Sequence, residues 1–154
     1  VSDPLSKFGA KFQLNKKKNL PLIISGTNNL KPIKYFENKG SAQCKSAVIF
    51  GAMRVEGTSI IKAKKSRNHT ELLCKYLSLP ITVKNKKKYD EIKIRKINKI
   101  KTLNYNIPSD ISSSAFFIVL TALSQNSELI IKNVNVNKSR TGDHKWYLPN
   151  VIVE

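Results

Sequence analysis

At 154 residues, with 40% hydrophobic and 25% charged side chains, the chain has the composition of one globular domain, or one domain and part of another, and not of a disordered segment. Its longest apolar run, Ala115 to Leu120, is far short of the roughly 18 residues that cross a bilayer, so no helical membrane span is expected. The formal charge of +18 rests on 24 lysines and only four arginines, which speaks against the arginine-rich surfaces that read nucleic acids.

Val1 to Leu5 is polar and contains Pro4, unlike a signal peptide, and the expected location is cytoplasmic. Ala10–Leu14 and Leu20–Ser25 read as short strands separated by the turn signal NKKKN. Lys31–Phe36 is a third strand, with Pro32 near its start. Gly40 and Ser41 stop it and open a helix, for which Ser41 is the N-cap. Cys44, Ala47, Val48, Gly51, Ala52 and Val55 recur at helical spacing, and Glu56-Gly57 ends the pattern. Thr58–Ala63 is the next strand. In SRNHTELLCKYLSLP, Asn68 and Glu71 have capping-box spacing, and Leu72, Leu73, Tyr76 and Leu77 form the expected buried stripe before Pro80 stops the helix. Ile81–Lys84 and Glu91–Ile97 pair across a lysine-rich hairpin around Asn85 to Tyr89. A third helix follows PSDISSS, capped by Asp110 or Ser112, and its body Ala115–Leu123 is nearly all apolar. Glu128–Val136 alternates as a strand. The last twelve residues, DHKWYLPNVIVE, break the pattern and stay unplaced.

Three times a strand delivers the chain into a Ser- or Asn-rich turn at the start of an apolar helix. One supersecondary unit used more than once accounts for this, although no strict period is visible. Helices this apolar must be covered on most sides, which implies a layered or barrel-like α/β arrangement.

A helix start offers unpaired backbone N–H groups and the positive end of the macrodipole, a natural site for phosphate or carboxylate. At the first helix start, Ser41 and Gln43 add a hydroxyl and an amide, and Lys45 can supply a charge. The plainer reading is that Ser41 only caps and Gln43 faces water. Ser66 and Arg67 repeat the theme before the second helix; an arginine there is poorly placed for the dipole unless it grips an anion. His69, alone in a first turn, reads as structural, and His144 has no visible partner. Cys44 and Cys74 lie in apolar helical patterns without metal-ligand spacing, which favours reduced thiols, a disulfide being the alternative. There is no Gly-rich phosphate loop, nucleophile elbow or zinc spacing, so neither metal nor cofactor is expected. None of the ten acidic residues pair at a spacing suited to acid–base work. The sequence itself points to no catalytic residue.

GSAQCKSAVIFGAM, then SRNHTELLCKYL, then DISSSAFF, then NVNVNKSRTG, together with PLSKFGAKF and LPLIISG near the start, resembles 3-phosphoshikimate 1-carboxyvinyltransferase (EPSP synthase) in order and spacing. SAQxKSA and SRxHTE set this family apart from UDP-N-acetylglucosamine enolpyruvyl transferase. The resemblance covers roughly residues 1 to 142. It implies transfer of the enolpyruvyl group of phosphoenolpyruvate to the 5-hydroxyl of shikimate 3-phosphate, in the shikimate pathway to aromatic amino acids. The implied fold is α/β, with repeated βαβαββ units of the enolpyruvyl transferase inside-out barrel, here incomplete. Ser41, Ala42 and Gln43 would hold shikimate 3-phosphate, with Gln43 also near phosphoenolpyruvate. Ser66 and Arg67 would contact the phosphate or carboxylate of shikimate 3-phosphate. Asp110 would lie at the crossover between the two domains, and Arg140 in a structural RTG turn.

The resemblance also places the family's N-terminal lysine-serine motif and a phosphoenolpyruvate-binding arginine before Val1. It places the catalytic aspartate and the second domain's lysine and arginines after residue 142. The expected organisation is part of the first domain over 1–108, the start of the second over 109–142, and an unplaced tail over 143–154. Such an internal piece is expected to be inactive alone, with a complementary chain as the supplier of the rest. A basic nucleic-acid-binding domain remains the alternative from charge, opposed by the lack of aromatics interleaved with arginine.

Overall fold

Residues 1–15, 20–141 and 150–153 are described by a computed structural model. Residues 1–101 and 102–154 form two compact units. In the first, the chain opens with a helix that the sequence did not announce, α1 (Ser2–Phe8), which buries Pro4 and Phe8 and ends at Gly9 with φ +118°. Phe8 explains the helix: a Cβ added at Gly51 would lie 2.9 Å from its ring, so the glycine of the next helix makes the space that α1 packs into. Strands β1 (Lys11–Leu14) and β2 (Leu22–Ser25) then pair antiparallel, each slightly shorter than expected.

The centre of this unit is β3 (Lys34–Glu37), α2 (Ala42–Ala52), β4 (Thr58–Lys64), α3 (His69–Tyr76), β5 (Ile81–Asn85) and β6 (Tyr89–Arg95). The order is one complete βαβαββ unit, the expected motif. The sheet runs β3-β4-β6-β5, parallel between β3 and β4, which α2 connects, and antiparallel elsewhere. Alternation sends Ser59, Ile61 and Ala63 of β4 and Asp90, Ile92 and Ile94 of β6 to the buried face. Ile61, Ala63, Ile92 and Ile94 form the core with Val48, Ile49 and Ala52 of α2. Each such isoleucine, withdrawn from water, contributes about 1.5–3 kcal/mol.

Helix α3 departs from expectation. Leu72, Leu73 and Tyr76 are exposed, and the buried positions are Glu71 and Cys74. The apolar stripe is real in sequence, but the face turned inward carries Cys74, which joins the core, and Glu71, whose partner Lys45 lies on α2.

In the second unit, Asp110 caps α4 (Ile111–Leu123) by accepting the Ser112 N–H at 3.0 Å. Here too a burial expectation fails. Phe116, Phe117, Val119, Leu120 and Leu123 are all exposed, with Phe116 at 82%. Among the described residues, the strands that pack on α4 are the short parallel pair β7 (Leu129–Ile131) and β8 (Val151–Val153), too little surface to cover so apolar a helix body. The strand expected over Glu128–Val136 is thus cut to three residues, followed by a left-handed turn at Asn133 and a Ser109–Val134 bridge. A short helix α5 (Lys138–Thr141) comes next. Val151–Val153, within the unplaced tail, is a strand; His144 and the rest of 142–149 lie outside the described residues. Among the described residues no helix is long and apolar enough to cross a membrane.

Candidate functional site: two helix starts joined by a buried lysine

The turn from β3 into α2 is built by Glu37. Its carboxylate, buried, accepts the N–H groups of Lys39 at 2.9 Å and Gly40 at 2.8 Å. Gly40 sits at φ +72°, and a Cβ there would be 3.4 Å from the carbonyl oxygen of Lys65. The turn before α2 therefore lies against the loop that leads to α3. Ser41 caps α2 as expected, its Oγ accepting the Cys44 N–H at 3.2 Å. That bond uses the oxygen as acceptor and leaves the hydroxyl proton to be donated. The N–H groups of Ala42 and Gln43, in the first turn, have no acceptor within the helix, and the Gln43 side chain is exposed.

Lys45 is not the loose charge at the mouth that the sequence suggests. It is 0% exposed. Its Nζ donates to the carbonyl oxygen of Arg67 at 2.8 Å and pairs with Glu71 Oε1 at 2.7 Å. Ser46 and Thr70 make a second tie, Oγ to Oγ1 at 2.7 Å. The capping box expected at α3 is accordingly absent: Asn68 makes no side-chain cap bond, and Glu71 reaches across to Lys45 instead. A buried cation has the stronger claim on a carboxylate than an exposed N–H.

These ties bring Ser41, Ala42 and Gln43 together with Ser66 and Arg67 at neighbouring helix starts. Arg67 is exposed, and Ser66 Oγ is buried without a hydrogen-bond partner among the described residues. Lys65, just before Ser66, is anchored to the half-buried strand by an ion pair with Asp90. The sequence did carry a sign of the buried lysine. Lys45, Val48, Ile49 and Ala52 fall at i, i+3, i+4 and i+7, so Lys45 is in the buried stripe and needs an anion. Glu37 left no comparable sign.

Two groups flank this region. Tyr35 Oη lies 3.6 Å from Cys44 Sγ; burial, reinforced by that contact, pushes the phenol up to about 12, so it stays protonated. Burial, and then the negative charge of Glu71, raises the Cys74 thiol, which makes it a poor nucleophile. Both cysteines are free thiols. His69 opens α3, the side chain of Arg140 lies outside the described residues, and Asp110 belongs to the second unit. Among the described residues no cluster of histidine, cysteine and acidic side chains could hold a metal ion.

The family described as EPSP synthase (3-phosphoshikimate 1-carboxyvinyltransferase) matches residues 1–150. The chain belongs to the EPSP synthase family. The 3-phosphoshikimate 1-carboxyvinyltransferase of Caldicellulosiruptor saccharolyticus is 44% identical over 144 residues, which are 92% of this chain and 33% of that protein. That of Enterococcus faecalis is 39% identical over 141 residues, 90% of this chain and 32% of its own length. The EPSP synthase structure from Acinetobacter baumannii superposes with a TM-score of 0.69 at 31% identity, covering 92% of this chain and 31% of that one. The chain spans about a third of the length of the curated relatives it matches.

Membership of this family does not favour the nucleic-acid alternative. Lysines 34, 62 and 93 project from the outer face of the sheet around a shallow hollow of about 430 Å³ floored by Phe36 and Ile60. Lys86, Lys87 and Lys88 are exposed in the hairpin. One of the outer-face lysines, Lys93, is already matched by Glu91 at 3.9 Å. These are solvated faces of the kind the lysine-rich composition implies.

Proposed function

We propose that this chain carries the shikimate 3-phosphate-holding part of a 3-phosphoshikimate 1-carboxyvinyltransferase. In that reaction the carboxyvinyl group of phosphoenolpyruvate passes to the 5-hydroxyl of shikimate 3-phosphate and inorganic phosphate leaves. The observation that carries the reading is the 2.8 Å bond from Lys45 to the Arg67 carbonyl, which holds the α2 start beside the α3 start. One phosphorylated, carboxylated sugar-like ring can then meet donors from both. The Ala42 and Gln43 amides and the Ser41 hydroxyl suit one anionic group at the positive end of α2. Ser66 Oγ and the Arg67 fork suit a second. The Gln43 amide, at the edge of this group, is suited to phosphoenolpyruvate as well.

On this reading residues 1–108 are part of the first domain and 109–142 begin the second, with Asp110 at the crossover. The remaining two thirds of the enzyme would supply the base and the further cations that turnover needs, and would cover the apolar faces of α3 and α4. A cytoplasmic setting agrees with two free thiols. Titration of the isotope-labelled chain with shikimate 3-phosphate, followed by heteronuclear NMR, tests the proposal. The amides of Ser41–Gln43 and Ser66–Arg67 should shift together on one saturating curve. Shifts confined to the lysine hairpin, or none at the two helix starts, would defeat it.

A further inference from the structure

We infer that Lys45 and Glu71 are a positioning pair: their buried contact sets the spacing between the two helix starts, and with it the match of the site to its anionic ligand. The inference rests on the proposed binding of shikimate 3-phosphate and names two residues that do not themselves touch it. Lys45 belongs to α2 and Glu71 to α3, and their side chains are only 1% and 4% exposed. The ammonium also holds the Arg67 carbonyl, so one buried cation anchors both the acid within α3 and the backbone of the residue whose guanidinium would meet the ligand. The sheet alone does not impose that spacing, because the connections into both helices are loops. Glu37 orders the first loop through Lys39 and Gly40; the second takes its order from Lys45 and from the Lys65–Asp90 pair. Glu71 Oε2, buried and without a hydrogen-bond partner among the described residues, marks a pair that is not optimised for stability. A buried ion pair is weak as a stabiliser against an apolar replacement of similar volume, but it is directional, and a directional contact specifies relative placement.

That distinction gives the test. The double variant Lys45→Met/Glu71→Leu removes both charges together and is expected to keep the fold, losing only what the unmet Arg67 carbonyl costs. Even without ligand, nitrogen-15 relaxation should find the Ser66–Asn68 backbone more mobile than in the parent, while that of β6 does not change. In the shikimate 3-phosphate titration it should bind about tenfold more weakly or worse, keeping the Ser41–Gln43 shifts and losing those at Ser66–Arg67. Glu71→Gln, which keeps an acceptor for the Lys45 ammonium, should recover most of that affinity. A double variant that folds and binds like the parent overturns the inference, as does Glu71→Gln binding no better than the double variant. If the parent itself does not bind, the functional reading falls, and the ligand-free relaxation decides the pair: unchanged backbone mobility at Ser66–Asn68 refutes it.

Discussion

Lys45→Met with Glu71 left in place is expected to destabilise the chain by about 3–5 kcal/mol. The mutation leaves a carboxylate in the interior whose Oε2 already lacks a partner and whose Oε1 would lose its ammonium. It also removes the donor to the Arg67 carbonyl, so a backbone acceptor is left unmet at the same place. Against a total stability of about 5–15 kcal/mol for a single domain, this is a large fraction. Urea unfolding followed by circular dichroism reads it as a lower midpoint at unchanged slope. Restoring stability by adding Glu71→Leu to the same background would show that the lone charge is the cause. An unchanged midpoint in the single variant would mean that the two side chains do not meet in the folded chain.

The second large effect lies in the core. Ile61→Ala is expected to cost about 2–5 kcal/mol, combining lost burial with the cavity left behind. Ile61 is 0% exposed on the central strand β4, opposite Ile92 of β6, and shares its core with Val48, Ile49 and Ala52 of α2. Collapse around the gap is restricted because β4 is bonded to a strand on both sides. The same urea experiment measures it, and a loss below about 1 kcal/mol would place Ile61 outside a packed interior. Unlike the lysine change, this one does not touch the helix starts. The folded fraction should therefore show the parent's pattern of ligand-induced shifts, which separates damage to the scaffold from damage to the site.

The elements that local chemistry specifies were legible in the sequence. Gly40-Ser41 before an apolar run announces α2 and its cap, and Asp110 announces the start of α4. The runs Thr58–Ala63 and Glu91–Ile97 announce β4 and β6, and the lysine turn announces β5 as the hairpin partner of β6. What escaped depends on contacts between distant segments. Helix α1 is only seven residues long and exists because Phe8 finds room at Gly51. The misread face of α3 follows from one long-range partner, since Glu71 looks like a capping residue until Lys45 claims it. The composition of α4 says that the helix wants cover but not whether the neighbouring strands provide it. The site divides along the same line. Ser41, Gln43, Ser66 and Arg67 stand out as residue types at helix starts, whereas their adjacency rests on a bond spanning 22 positions that no periodicity reveals.

The exposed side of α4 has a colloidal consequence. Phe116, Phe117, Leu120 and Leu123 offer a greasy strip on which copies of the chain can stick to one another. What opposes this is mutual repulsion between molecules that each carry a formal +18. That repulsion reaches about 10 Å at 0.1 M salt and about 3 Å at 1 M, while the attraction between apolar strips is not screened. Light scattering should therefore find the chain dispersed in dilute buffer and clustering as sodium chloride is added, the reverse of a protein held together by ion pairs.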